Sequence, residues 1–189
     1  MARTRWFCPC ICRPRLPCGA KTAKLWLTKS QTGARCRRNR VEHSDPTRKS
    51  AQDIIRHLDL SPHPEGGHYR QTWIADEVGR PSGTSIYFLL GAGERSHWHK
   101  VDATEIWHHY AGAPLILSLS EHDTGPALDH VLGPDLFDGQ SPQIIVPSNH
   151  WQAAQSTGAW SLVGCTVSPA FSFDGFTLAP PGFDIPRAG

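Results

Sequence analysis

The stretch GAGERSHWHKVDATEIWHHYAG, residues 91–112, decides how this chain is read. His97 and His99 stand two apart, and alternate side chains of a strand share a face, so both imidazoles are expected on one side. Glu105 follows on what reads as the next strand, with its carboxylate pointing back toward the pair. Under strict alternation Trp107 and His109 share Glu105's face, while His108 faces the other way and Trp98 packs outside. Two imidazoles and one carboxylate leave coordination positions open, which is the ligand set of catalytic rather than structural metal sites. With eleven His in the chain, some fall two apart by chance. What gives this pair weight is the succession of strand, turn and strand, with the acid just after it.

Working outward, the rest of residues 51–189 reads as β. AQDIIRHLDL (51–60) sets Ile54, Ile55 and Leu58 at helical spacing behind Ser50, an N-cap residue. SPHPEGG (61–67) is turn chemistry and stops that helix; for Glu65 within it, stabilising the turn is the simpler account and reaching the pocket the alternative. Strands are expected near 69–75, 84–90, 95–99, 104–111, 114–120, 143–147, 150–155 and 160–167, with a further short one at 175–178. Gly, Pro and Asp clusters at 79–83, 91–93, 111–114, 123–126, 133–142 and 179–182 separate them. One short helix and eight or nine short strands define an all-β sandwich or barrel.

Charge divides the chain near residue 41. Residues 1–40 hold eleven Lys or Arg and no acid; residues 41–189 hold eight basic and seventeen acidic side chains, a net of −9. Five of six cysteines also lie in the first part, leaving Cys165 in the second. CPCICRPRLPC (8–18) has no usual zinc spacing, and its Cys and Pro disrupt the amphipathic helix of a transit peptide. Residues 1–49 are therefore expected to be a basic, Cys-rich leader that is unfolded, or not translated at all if the chain starts at Val41. The domain is expected to span 50–189. No stretch has the ~20 apolar residues of a membrane span, and an acidic body does not suit nucleic acid.

The motif Gly91-x5-His97-x-His99-x5-Glu105-x6-Gly112 resembles the first cupin motif, with one or two extra residues before the acid. Pro147-Ser-Asn149-His-Trp-Gln152 occupies the place of the second. PEGGHYRQTW (64–73), SIYFLL (85–90), WHKVDATEIWHHYAG (98–112), VPSNHWQAA (146–154) and LVGCTVSPAF (162–171) are together similar to the cupin_5 family of uncharacterised cupins. The resemblance implies a jelly-roll or double-stranded β-helix barrel, commonly dimeric, with some similarity to nucleotide-sugar 3,5-epimerases. Gln152 departs from it, standing where the usual metal-binding His would be, and a neutral amide is a poor ligand for a divalent transition metal. Asn149 replaces a Gly and suits a tight turn, because Asn tolerates positive φ.

Three function classes follow. A metal-free isomerase or epimerase would use His99 as base, Glu105 as its partner or second acid, and Tyr87 as a proton donor at the barrel mouth. A metal-dependent oxygenase or isomerase would hold a divalent ion on His97, His99 and Glu105, with the fourth ligand undefined. A non-catalytic protein would hold a small ligand in the barrel. The metal-free classes are preferred because of Gln152. Arg70, Trp107, His109 and Gln152 are the expected substrate contacts. Arg70 would meet a phosphate or carboxylate, whereas Cys165 reads as a buried small hydrophobe. A homodimer in a cytoplasmic setting is expected, since barrel edges are commonly covered by a second subunit and free thiols persist in reducing compartments.

Overall fold

The computed structural model describes residues 49–188; the expectations about the 1–49 leader, including a start at Val41, fall on residues 1–48 and lie outside the described residues. Helix α1 (Ala51–Leu58) starts where Ser50 and Asp53 cap each other. The Ser50 hydroxyl accepts from the Asp53 N–H, and the Asp53 carboxylate accepts from the Ser50 N–H. Asp59, at φ 54°, ends the helix in a left-handed turn. Strands β1 (Ser61–Pro62), β2 (His68–Ile74), β3 (Thr84–Gly91), β4 (Arg95–Val101), β5 (Thr104–Gly112) and β6 (Leu115–Ser120) follow. The chain continues through β7 (Leu128–Leu132), β8 (Gln143–Val146), β9 (Trp151–Ser156), β10 (Trp160–Ser168), a single 3-10 turn (Phe173–Gly175) and β11 (Phe176–Leu178).

The strands form two antiparallel sheets, one ordered β1-β2-β3-β10-β5-β8 and the other β11-β4-β9-β6-β7. This is the expected jelly-roll barrel with one short helix. The expectation missed β7, because LDHVL leaves Leu128, Asp129 and His130 exposed on an edge strand and so lacks the apolar alternation that marks the others. Among the described residues no helix is long and apolar enough to cross a membrane.

The inner faces grade from apolar to polar along the barrel. On β3, Leu90 and Phe88 enter a core with Leu115, Leu117, Leu132 and Val163, whereas Ile86 and Thr84 reach a cavity at the other end. On β5, Trp107 belongs to the core and Glu105 to the cavity. One end is therefore packed solid, which fixes the strands, while the other is left open to hold polar groups.

The outer face of the second sheet is covered by the chain's own C-terminal segment. Ile185 is fully buried beside Trp98, Ala127, Ala153 and Ala179, and Phe183 lies 5.2 Å from Trp151. The Trp98 indole donates to Asp184 at 2.7 Å, and the guanidinium groups of Arg95 and Arg187 lie 6.0 and 5.5 Å from its ring. Asp184 pairs with both arginines, and these hydrogen bonds hold its carboxyl down at about 2. Trp98 thus packs outside, as its strand position implied, but against its own chain. Ile185→Ala should cost about 2–4 kcal/mol, seen as a lower urea midpoint with unchanged slope. An unchanged midpoint would show that the segment does not hold the sheet.

Candidate functional site

The cavity encloses about 100 Å³ between the two sheets. His63, Glu65, His99 and Glu105 form its polar part, Cys165 and Thr84 lie beside them, and Phe88, Phe171, Phe173 and Phe176 are among the apolar walls.

A bulge in β4 sets the geometry. Ser96 pairs with Ala154 and His99 with Gln152, so three steps along β4 meet two along β9. The extra residue turns both Ser96 and His99 inward and breaks the alternation expected of His97 and His99. The His97 ring reaches the Pro180 carbonyl at 3.0 Å instead, away from the cavity. Its backbone nevertheless builds the site. The His97 N–H donates to the Glu65 carbonyl at 2.8 Å, and the His97 carbonyl accepts from His99 Nδ1 at 2.8 Å. With Nδ1 carrying the hydrogen, His99 Nε2 is left as the free nitrogen, 3.4 Å from Glu65 Oε2.

Glu65 is seated by the two glycines that follow it. A side chain on Gly66 would collide with the Arg95 carbonyl, and one on Gly67 would come within 2.7 Å of the Leu89 carbonyl; both residues have positive φ. That close approach presses Glu65 inward, where Ser96 donates to its Oε1 at 2.9 Å and His63 Nδ1 lies 3.4 Å from its Oε2. Of the two roles the sequence allows Glu65, the structure gives it the one in the pocket, and it adds His63, which the sequence does not mark. The paired glycines after an acid were the available signal for Glu65; the coil position of His63 offered none.

Glu105 is held from behind. The Trp107 indole can only donate, and it does so to Gln152 Oε1 at 2.9 Å; this orients the amide so that Nε2 donates to Glu105 Oε2 at 2.6 Å. Gln152 and Trp107 are buried and do not line the cavity; they position Glu105 rather than touch a ligand. Burial pushes the Glu65 carboxyl up to about 7, against the pull of His63 and the Ser96 hydrogen bond. Burial likewise raises Glu105, opposed by His99 and Gln152, and lowers His99 despite the attraction of Glu105. The Cys165 thiol, driven well above its ordinary range by burial, stays protonated.

Three other expected contacts lie elsewhere. Tyr69 and Gln71 of β2 line the cavity, so Arg70 between them faces outward, its guanidinium 5.7 Å from the Tyr87 ring. Tyr87 is outward for the same reason, between the inward Ile86 and Phe88, and lies 6.0 Å from Tyr110. His109 turns to the Ala113 carbonyl at 3.3 Å, beyond the packed core. His150 approaches the Ser148 carbonyl and does not enter the cavity, while Asn149 takes the positive φ, 64°, that its turn requires.

A cupin metal does not fit these residues. The His97 imidazole points away, and the Gln152 N–H donor occupies Glu105. Among the described residues no group of three or more His, Cys, Asp or Glu has the disposition to hold a metal ion.

The two facing sheets and the cavity between them are those of a cupin barrel, and the chain belongs to the Cupin_5 family, described as cupin superfamily (DUF985), which it matches over residues 52–179. It is similar to a Shewanella oneidensis protein of known structure, with 38% identity and a TM-score of 0.65 over 69% of this chain and 85% of that one. A hypothetical protein from Leishmania major is 27% identical with a TM-score of 0.65, over 71% and 90%. Oxalate decarboxylase from Bacillus subtilis shares the fold alone, at 14% identity and a TM-score of 0.50, over 64% of this chain and 30% of that one. No curated protein is significantly similar to this chain.

Glu65 titrates near 7 when folded against an ordinary 4.5, so between those values the folded state keeps a proton that the unfolded state has released. Stability is lost as pH rises through that window. Glu65→Gln should remove the loss, leaving stability nearly unchanged at about pH 5 and raising it by roughly 1–3 kcal/mol at about pH 8. Urea unfolding of both chains at the two pH values measures this. An equal slope in the two chains would mean that Glu65 is not held protonated.

Proposed function

We propose that the cavity serves a metal-free isomerase or epimerase that moves a proton α to the carbonyl of a small molecule. The observation that carries this reading is the buried pair of His99 Nε2 and the Glu65 carboxyl, 3.4 Å apart on an enclosed cavity. Burial keeps the imidazole neutral, hence basic, and keeps the carboxyl protonated near neutrality, hence an acid.

In this reading His99 Nε2 takes the proton from the carbon next to the carbonyl, and Glu65 gives its proton to the carbonyl oxygen. The product of that step is an enol or enediol, with an imidazolium and a carboxylate beside it. His99 then gives its proton to the former carbonyl carbon while the Glu65 carboxylate takes one from the neighbouring hydroxyl, which yields an isomer; if His99 returns the proton to the original carbon after the enol has presented its other face, and Glu65 recovers its proton from the enol oxygen, an epimer results. Glu105, fixed by Gln152, favours the imidazolium as it forms. This retains the chemistry implied by the likeness to 3,5-epimerases, with Glu65 replacing Tyr87 as proton donor.

Wild-type protein in deuterated water should exchange the α-hydrogens of a small ketose or hydroxyketone. His99→Gln and Glu65→Gln should each lower the exchange rate about 100-fold or more. His97→Ala should change it only a few-fold, since its contribution is made by backbone atoms. Ligand binding without any exchange would instead favour the non-catalytic holder of a small molecule.

The proposed setting is cytoplasmic and the proposed assembly a homodimer through the outer face of the six-stranded sheet. That face presents Tyr110 and Ile145, half or more exposed, beside Tyr87. Sedimentation should give a dimer at micromolar concentration, and Tyr110→Lys with Ile145→Lys should shift it to monomer. A wild type that sediments only as monomer rejects the pairing.

A further inference from the structure

We infer that the cavity selects ligands carrying no negative charge, so that its substrate class is a small, unphosphorylated, non-acidic carbonyl compound. This deepens the proposed function and rests on the same site.

The lining supplies two buried carboxyl groups, Glu65 and Glu105, and no Lys or Arg. A site for phosphate or carboxylate needs a cation, or a set of free N–H donors such as an open helix N-terminus. Among the described residues the cavity lining holds neither. Arg56 pairs with Asp53, Arg80 with Asp102, and Arg95 and Arg187 with Asp184. Arg70 and Lys100 lie over the outward rings of Tyr87 and Trp151. At the start of α1 the N–H groups of Ser50 and Asp53 are met by the two capping side chains. An anionic group brought to His99 would meet the Glu105 carboxyl in a buried, poorly screened space, without a counter-charge.

The remaining walls favour a ligand with an apolar side. Phe171, Phe173 and Phe176 pack edge to face at 5.1, 5.7 and 6.1 Å, and Phe176 lies 5.4 Å from His99. Ring faces carry partial negative charge, so they too disfavour an anion while accepting methyl groups or cations. The cavity, at about 100 Å³, lies below the roughly 300–1,000 Å³ of sites for drug-sized ligands, so the enclosed part suits a molecule of a few carbons.

Three size-matched 2-oxo compounds test this: hydroxyacetone (neutral), aminoacetone (cationic) and pyruvate (anionic). Each is titrated into isotope-labelled full-length protein at about pH 7.5 while the amide resonances of His99, Glu105 and Cys165 are followed. Hydroxyacetone and aminoacetone should move these signals saturably, and pyruvate should bind about tenfold or more weakly. Glu105→Gln should narrow the gap between pyruvate and hydroxyacetone. Pyruvate binding as tightly as hydroxyacetone overturns the inference, as does the absence of binding by all three. Deuterium exchange into hydroxyacetone, read in the same samples, reports separately on the isomerase reading. Charge-selective binding without exchange rejects the isomerase and leaves the selection standing.

Discussion

Two carboxyl groups and an imidazole share one desolvated space, and the polar contacts around them follow from the cost of that burial. An ionised group moved out of water without partners is unstable by several kcal/mol, so it must be neutralised, paired or hydrogen-bonded. Each member of the cluster meets this differently. Glu65 keeps its proton near neutrality and takes the Ser96 hydroxyl; Glu105 receives the Gln152 amide; His99 stays neutral and gives its one N–H to the His97 carbonyl. The environments push similar groups into different protonation states, and an acid–base site requires that difference.

Two backbone irregularities make the arrangement possible. The β4 bulge brings Ser96 and His99 to the same side, so one strand supplies both a donor for Glu65 and the imidazole opposite it. The Gly66-Gly67 pair lets the preceding loop lie against β4 and β3 closely enough to seat Glu65. Neither irregularity stabilises the fold by itself. Both are tolerated because the far end of the barrel, packed with Leu90, Leu115, Leu117 and Val163, holds the strands in place.

Gln152 occupies the place where the family resemblance calls for a metal-binding imidazole, and its contacts show what the amide does instead. It links the core to the site, accepting from Trp107 on one side and donating to Glu105 on the other. The barrel is therefore a cupin in its strands and its family, while its polar cluster is organised by hydrogen bonds within the chain.

The sequence alone determined the barrel, the capped helix at Ser50, the turn at Asn149 and the closeness of His99, Glu105, Trp107 and Gln152. These are legible because they depend on local periodicity, turn chemistry and the spacing of residues on neighbouring strands. β7 escaped notice because an exposed edge strand has no apolar face to reveal it. Which side chains face the cavity was decided by the tertiary structure. Alternation assigned His97 to the site until the β4 bulge reversed it, and the expected roles of Tyr87 and Arg70 there gave way once pairing showed Tyr69, Gln71, Ile86 and Phe88 to be the inward residues. His63 and Glu65 reach His99 across more than thirty residues of chain, from a loop with no periodicity. A strand's pattern records which residues share a face. Which face is inside, and where an extra residue shifts the register, depends on packing against strands distant in the sequence.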